Sequence, residues 1–177
     1  MAMHAHEAGG PPSVIVVMGV SGSGKSTAAG LLAERLGWEM QEGDDLHPRA
    51  NVEKMAAGHP LTDEDRWPWL SLIADWIDVH LAEGTGGVIT CSALKRRYRD
   101  VLARPGVAFA HIAGTRDVVS GRIGGREGHF MPASLLASQY EALEPLQPDE
   151  NGVVIDANQP PQAEVDEIVA ALFGSGR

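Results

Sequence analysis

The chain is short of several things that would place it in other classes. It holds a single cysteine, Cys91, which excludes an internal disulfide and fits a reducing compartment. Basic residues are scarce: 14 Lys and Arg stand against 24 Asp and Glu, a formal net charge of −10. An acidic surface argues against nucleic acid and membrane surfaces as partners, because both select a basic face. No apolar run approaches the roughly 20 residues that span a bilayer. Residues Met1 to Pro12 carry His4, His6 and a proline pair, without the basic start and apolar stretch of a signal peptide. They read as a flexible, solvated tail, residues 1–12, and the chain as a cytoplasmic protein.

What is present is enough for one α/β domain, residues 13–177. The chain has 177 residues, 44% of them hydrophobic, and 21 glycines. Strand and helix signals alternate along it, which predicts a parallel sheet flanked by helices. Strands are expected at Val14–Met18, Trp38–Gln41, Gly87–Cys91, Val107–Ile112 and Val153–Ile155. Helices are expected at Lys25–Leu36, Pro48–Ala57, Trp67–Glu83, Leu94–Ala103, Asp117–Ile123, Pro132–Leu143 and Gln162–Phe173. Cys91, after Val88-Ile89-Thr90, reads as a small apolar strand residue. Trp67, Trp69 and Trp76 read as helix-packing residues.

Between the first strand and the first helix lies Gly19-Val20-Ser21-Gly22-Ser23-Gly24-Lys25-Ser26, followed by Thr27. This matches G-x-x-x-x-G-K-[ST] in its required strand–loop–helix setting. Such a loop turns several backbone N–H groups and a helix N-terminus toward one polyphosphate. Lys25 is expected to reach the outer phosphates and the Ser26 hydroxyl to ligate Mg2+, which makes ATP and Mg2+ the expected cofactors.

The loop alone leaves several protein classes open. The chain is too short for most motor or transporter ATPases. It has no Asn-Lys-x-Asp guanine-reading motif; Asn158-Gln159-Pro160 stands in that place instead. Arg122-Ile-Gly-Gly-Arg126 resembles the closing lid of small-molecule kinases, expected at about residues 121–131. Val153-Val154-Ile155-Asp156 has the look of an acidic strand end but belongs to the last strand and reads as sheet and turn. Asp44, after the second strand, is the stronger acidic candidate.

Longer blocks narrow the choice. Glu42-Gly-Asp-Asp-Leu-His47-Pro48, Asn51-Val-Glu-Lys54-Met55 and Pro60-Leu-Thr-Asp63-Glu-Asp65-Arg66-Trp-Pro68-Trp69-Leu70 resemble the gluconokinase family. So do Cys91-Ser-Ala-Leu-Lys95-Arg-Arg-Tyr98-Arg99-Asp100, Arg126-Glu-Gly-His129-Phe130 and Ser138-Gln139-Tyr-Glu141-Ala-Leu-Glu144-Pro145. The resemblance covers Val14 to about Asp156. One departure is Glu42, where many members have Asp, which leaves the role of Glu42 in question.

The resemblance implies a three-layer phosphate-loop kinase fold with a five-stranded parallel sheet in the order 2-3-1-4-5 and a small lid. It implies transfer of the γ-phosphoryl group of ATP to the 6-hydroxyl of D-gluconate, and it is compatible with a homodimer. Lys25, Asp44 and Arg126 are the expected catalytic residues, and Arg122 an expected nucleotide contact. Asp44 either takes the hydroxyl proton or holds a Mg2+-bound water. For a polyol carboxylate the candidate contacts are His47, Asn51, Lys54, Asp65, Arg66, Lys95, Arg99 and His129. The cations Lys95, Arg96, Arg97 and Arg99, directly after a strand on an acidic chain, read as an anion site. The Gln139-Tyr140-Glu141 block is expected to face the site. Two rivals stay open. A kinase for another small acceptor would share Lys25 and the lid and differ between Asp44 and Arg66. A nucleotide-binding regulatory protein would bind ATP and form no phosphorylated product.

Overall fold

The computed structural model describes residues 10–114 and 133–174. Five strands make one parallel sheet: β1 (Val14–Met18), β2 (Glu39–Glu42), β3 (Gly87–Thr90), β4 (Val107–Ala113) and β5 (Gly152–Asp156). Their order is β2-β3-β1-β4-β5, the order the resemblance implies. The centre falls to β1 because all five of its residues are apolar and buried, as a strand covered on both faces requires. By contrast β2, Glu-Met-Gln-Glu, is partly exposed and takes an edge.

Alternate side chains of β1 feed two cores. Val14, Val16 and Met18 pack with Trp69, Leu70, Ile73 and Ile77 of α3 (Asp63–Glu83) and Tyr98 and Leu102 of α4 (Arg96–Leu102). Ile15 and Val17 pack with Ala28, Ala29 and Leu32 of α1 (Lys25–Leu36) and Val165, Ile168 and Leu172 of the last helix, α6 (Pro161–Phe173). The remaining helices among the described residues are α2 (Arg49–Ala56) and α5 (Ala133–Ala142). Leu136 of α5 joins Val20 and Leu94 in a third small cluster, which seats α5 over the start of the phosphate loop.

The main boundary correction is at α3, which begins at Asp63 and not at Trp67. Thr62 caps it: the Asp65 N–H donates to Thr62 Oγ1 at 3.2 Å, and the Thr62 N–H donates to Asp65 Oδ2 at 2.8 Å. That reciprocal pair satisfies the first turn, so the helix runs through Pro68. Pro48 is the N-cap of α2 and not its first residue. The expected helix at Asp117–Ile123 lies outside the described residues. Cys91 is buried just past β3, and burial pushes its thiol up to about 12. Among the described residues no helix is long and apolar enough to cross a membrane.

Candidate active site

The phosphate loop leaves β1 at the C-terminal edge of the sheet, where open α/β sheets bind ligands. Gly24 is the N-cap of α1 at φ 100°, a left-handed backbone that favours glycine. Among the described residues no side chain caps α1, so its first-turn N–H groups are available to an anion. Gly19 has no room for a side chain: a Cβ there would meet the Ile112 carbonyl oxygen at 2.7 Å. Lys25 Nζ donates to the Val20 carbonyl at 3.0 Å, folded back across the loop. Burial lowers the Lys25 ammonium from its ordinary value, opposed by the nearby carboxylates of Asp44 and Glu42. Ser26 and Thr27 are exposed at the mouth of the loop. The expectation for Gln139 holds: its Oε1 accepts from the Ser21 N–H at 2.8 Å, tying α5 to the loop.

Opposite the loop, β2 ends in a 3-10 turn, Gly43–Leu46, that carries Asp44. Its first residue has to be glycine, since a Cβ on Gly43 would meet the Thr90 carbonyl oxygen at 1.9 Å. Three hydrogen bonds fix the turn. The Gly43 N–H donates to Thr90 Oγ1 at 3.1 Å, Thr90 Oγ1 donates to Glu42 Oε1 at 2.8 Å, and Trp69 Nε1 donates to the Gly43 carbonyl at 2.8 Å. The role of Glu42 is therefore to tie the end of β2 to β3. The Asp44 side chain, 79% exposed, projects beside a cavity of about 330 Å3. Lys25, Asp44, His47, Arg66, Trp69 and Gln139 are among its lining residues. That volume is at the small end for ligand pockets, fit for a compact polar molecule.

His47 stacks on Trp69, ring centroids 4.0 Å apart, with Nε2 3.8 Å from Asp44 Oδ1. Arg66 Nη1 donates to the Leu61 carbonyl at 2.6 Å and to the Tyr98 hydroxyl at 3.2 Å, and its guanidinium lies 5.1 Å from the Tyr98 ring centre. Asn51, Lys54 and Asp65 do not line the cavity. They stand behind His47, where Asn51 is buried and Lys54 Nζ meets Asp65 Oδ2 at 2.6 Å. That contact and the Thr62 N–H hold the Asp65 carboxyl down to about 2.

The basic run after β3 is not an open anion site. Arg96 grips Asp149 with two hydrogen bonds of 2.8 and 2.9 Å, and Arg97 pairs with Asp63 at 2.7 Å. Arg99 is the clearest correction. It is fully buried and donates to Glu150 at 2.7 and 3.0 Å and to the carbonyls of Ala93 and Pro145. Its charge is spent inside the protein, where it holds the Ser92–Leu94 loop, with Ala93 at φ 45°, against the segment after α5. Burial alone would raise the Glu150 carboxyl, but hydrogen bonds from Arg99 and the Gln147 N–H outweigh it and hold it low. Glu150→Gln leaves a buried guanidinium without its counter-charge and is expected to cost about 3–5 kcal/mol. Urea unfolding checks this, and a loss below about 1 kcal/mol would contradict a buried pair. Lys95 is the N-cap of α4, next to cavity-lining Leu94. Arg122, Arg126 and His129 lie outside the described residues.

The cavity wall also contains residues the sequence did not single out. Met55, Gly58, His59, Pro60 and Leu61 line one side, and Ser92 and Leu94 another. A glycine closing α2 and a proline two residues later mark a chain turning sharply there, but no chemical group in that stretch marks it as a wall. Trp69, expected as packing, is buried and also lines the cavity. Trp67, expected to pack, is 36% exposed and meets Tyr98 edge-on at 5.8 Å.

The chain matches no family model. It is 48% identical over 171 residues to the gluconokinase of Gluconobacter oxydans, covering 96% of each chain. It is 41% identical over 162 residues to the thermoresistant gluconokinase of Escherichia coli, covering 90% of this chain and 93% of that one. A gluconokinase structure from Sinorhizobium meliloti superposes with a TM-score of 0.83 at 47% identity, covering 92% of this chain and 93% of that one.

Proposed function

The chain belongs to the gluconokinase family, and from that premise we propose how it moves the γ-phosphoryl group of ATP to O6 of D-gluconate. The observation that carries the reading is one cavity lined both by Lys25, from the phosphate loop, and by Asp44, His47 and Arg66, from other elements. Phosphoryl transfer asks little covalent work of a protein and much positioning and charge neutralisation. The loop N–H groups and Lys25 hold the β- and γ-phosphates. Asp44 orients the gluconate hydroxyl and accepts its proton as the O6–P bond forms and the bond to ADP breaks. Arg66 offers a planar cation to the gluconate carboxylate. The lid arginines Arg122 and Arg126 would add positive charge to the transferring group.

The donor set suits Mg2+: the exposed Ser26 hydroxyl, next in sequence to cavity-lining Lys25, is a hard oxygen ligand at the phosphate end, and the Asp44 carboxylate stands at the cavity. Such an ion is bound by few protein oxygens together with phosphates and water. Ser26 would hold it, with Asp44 reaching it through water, and when bound it neutralises phosphate charge. The acidic surface and single buried thiol support a cytoplasmic setting.

The test is ADP release by the purified protein with ATP and Mg2+, comparing D-gluconate, shikimate, glucose and no acceptor. Release that depends on gluconate is expected. Release with another acceptor alone would overturn the substrate, and ATP binding without release from any acceptor would favour a regulatory nucleotide-binding protein.

A further inference from the structure

At the cavity wall, Asn51 bonds both the Asp65 carbonyl and the His47 ring, and His47 Nε2 lies 3.8 Å from Asp44 Oδ1. We propose that Asn51 is a positioning residue that locks His47 in the tautomer whose Nε2–H faces Asp44, making His47 a fixed hydrogen-bond donor and never the base. The place of Asp44 and the cavity in acceptor chemistry is taken from the functional reading above; the tautomer itself does not depend on it.

One group beside Asn51 has no choice of role. The Asp65 carbonyl can only accept, and Asn51 Nδ2 lies 2.9 Å from it. That contact identifies this end of the amide as the NH2, because a flipped amide would set two carbonyl oxygens face to face. The same Nδ2 is 3.2 Å from His47 Nδ1. An amide NH2 only donates, so Nδ1 presents its lone pair and carries no proton. A neutral imidazole in that state holds its proton on Nε2, the atom 3.8 Å from Asp44 Oδ1.

The surroundings leave the ring little freedom. The His47 side chain is 3% exposed and lies nearly parallel to Trp69, at 16°. Trp69 in turn holds the Gly43 carbonyl, so ring, indole and the turn bearing Asp44 form one unit. Asp65 is anchored by Lys54 and by Thr62, which fixes the carbonyl that orients Asn51. This arrangement accounts for three of the expected gluconate contacts, Asn51, Lys54 and Asp65, as support for the fourth, His47. Burial also lowers the His47 pKa, opposed by Asp44 and assisted by Arg66, in keeping with a neutral ring. With its one free lone pair committed to Asn51, His47 has none on the Asp44 side. The proton of the acceptor hydroxyl falls to Asp44.

Long-range 1H–15N NMR of the imidazole rings in the substrate-free protein reads the tautomer, with His47 assigned by the signals lost in His47→Gln. The wild type is expected to show the Nε2–H form. Asn51→Leu removes the donor opposite Nδ1, and is expected to give a mixture of the two tautomers and lower kcat about 10-fold or more, with KM for ATP unchanged. If that variant does not fold, Asn51→Ala is read instead, and the same mixture is expected. A wild-type Nδ1–H form would overturn the proposal. So would an Nε2–H form that persists unmixed in the variant read. A wild type with the Nε2–H form but no gluconate-dependent turnover would count against the functional reading and leave the tautomer assignment standing.

Discussion

Asp44→Asn is expected to lower kcat with gluconate by about 10²–10⁴-fold, the range a positioned general base supplies, while KM for ATP stays near wild type. The substitution keeps the shape of the side chain and removes its charge and basicity. The fold has little stake in that side chain, which is 79% exposed. The turn that bears it is held by backbone and neighbouring groups: Thr90 and Trp69 bond to Gly43, and the Asp44 carbonyl accepts from the His47 N–H at 3.2 Å. Loss of turnover therefore reports chemistry and not unfolding, which a thermal melt of the variant checks. Steady-state kinetics with varied gluconate and ATP make the measurement. Wild-type kcat in a folded Asp44→Asn protein would remove Asp44 from the acceptor step.

Lys25→Ala is expected to lower kcat by about 10²–10³-fold or more, as loss of one preorganised charge at a developing anion does. Here the reason is electrostatic. The Lys25 ammonium is kept in a desolvated place that lowers its pKa, so it pays for its position in the free protein and recovers that cost on the phosphates. Among the described residues it bonds a loop carbonyl, that of Val20, five residues away, a contact it can exchange for a phosphate. Removing a half-buried charge of this kind should leave the melting temperature at or near wild type. Activity falling in parallel with a large loss of stability would instead mean that Lys25 serves the fold.

The phosphate loop was legible because its information is local. A buried apolar strand, glycines at Gly19 and Gly24 and a helix starting at Lys25 are neighbours in sequence, and each constrains the next. Asp44 and His47 were legible for the same reason, standing at a strand end in one short block. What stayed hidden depends on partners far along the chain. Nothing near Arg99 announces Glu150, 51 residues on, so four cations within five residues read as an anion site although three of them are paired. The apolar run places the start of α3 at Trp67, whereas the polar Thr62–Asp65 pair closes a capping box that sets it at Asp63. Asn51, Lys54 and Asp65 are expected as gluconate contacts, yet they do not line the cavity and stand beside His47, a placement that depends on the fold.

The position of the phosphate in the product tests the central claim most directly. The protein, ATP, Mg2+ and D-gluconate would be incubated and the product followed by 31P NMR. A phosphomonoester signal split into a triplet by the C6 methylene protons, appearing with ADP, is the predicted result. A doublet from a secondary carbon, or ADP accompanied only by inorganic phosphate, would contradict it.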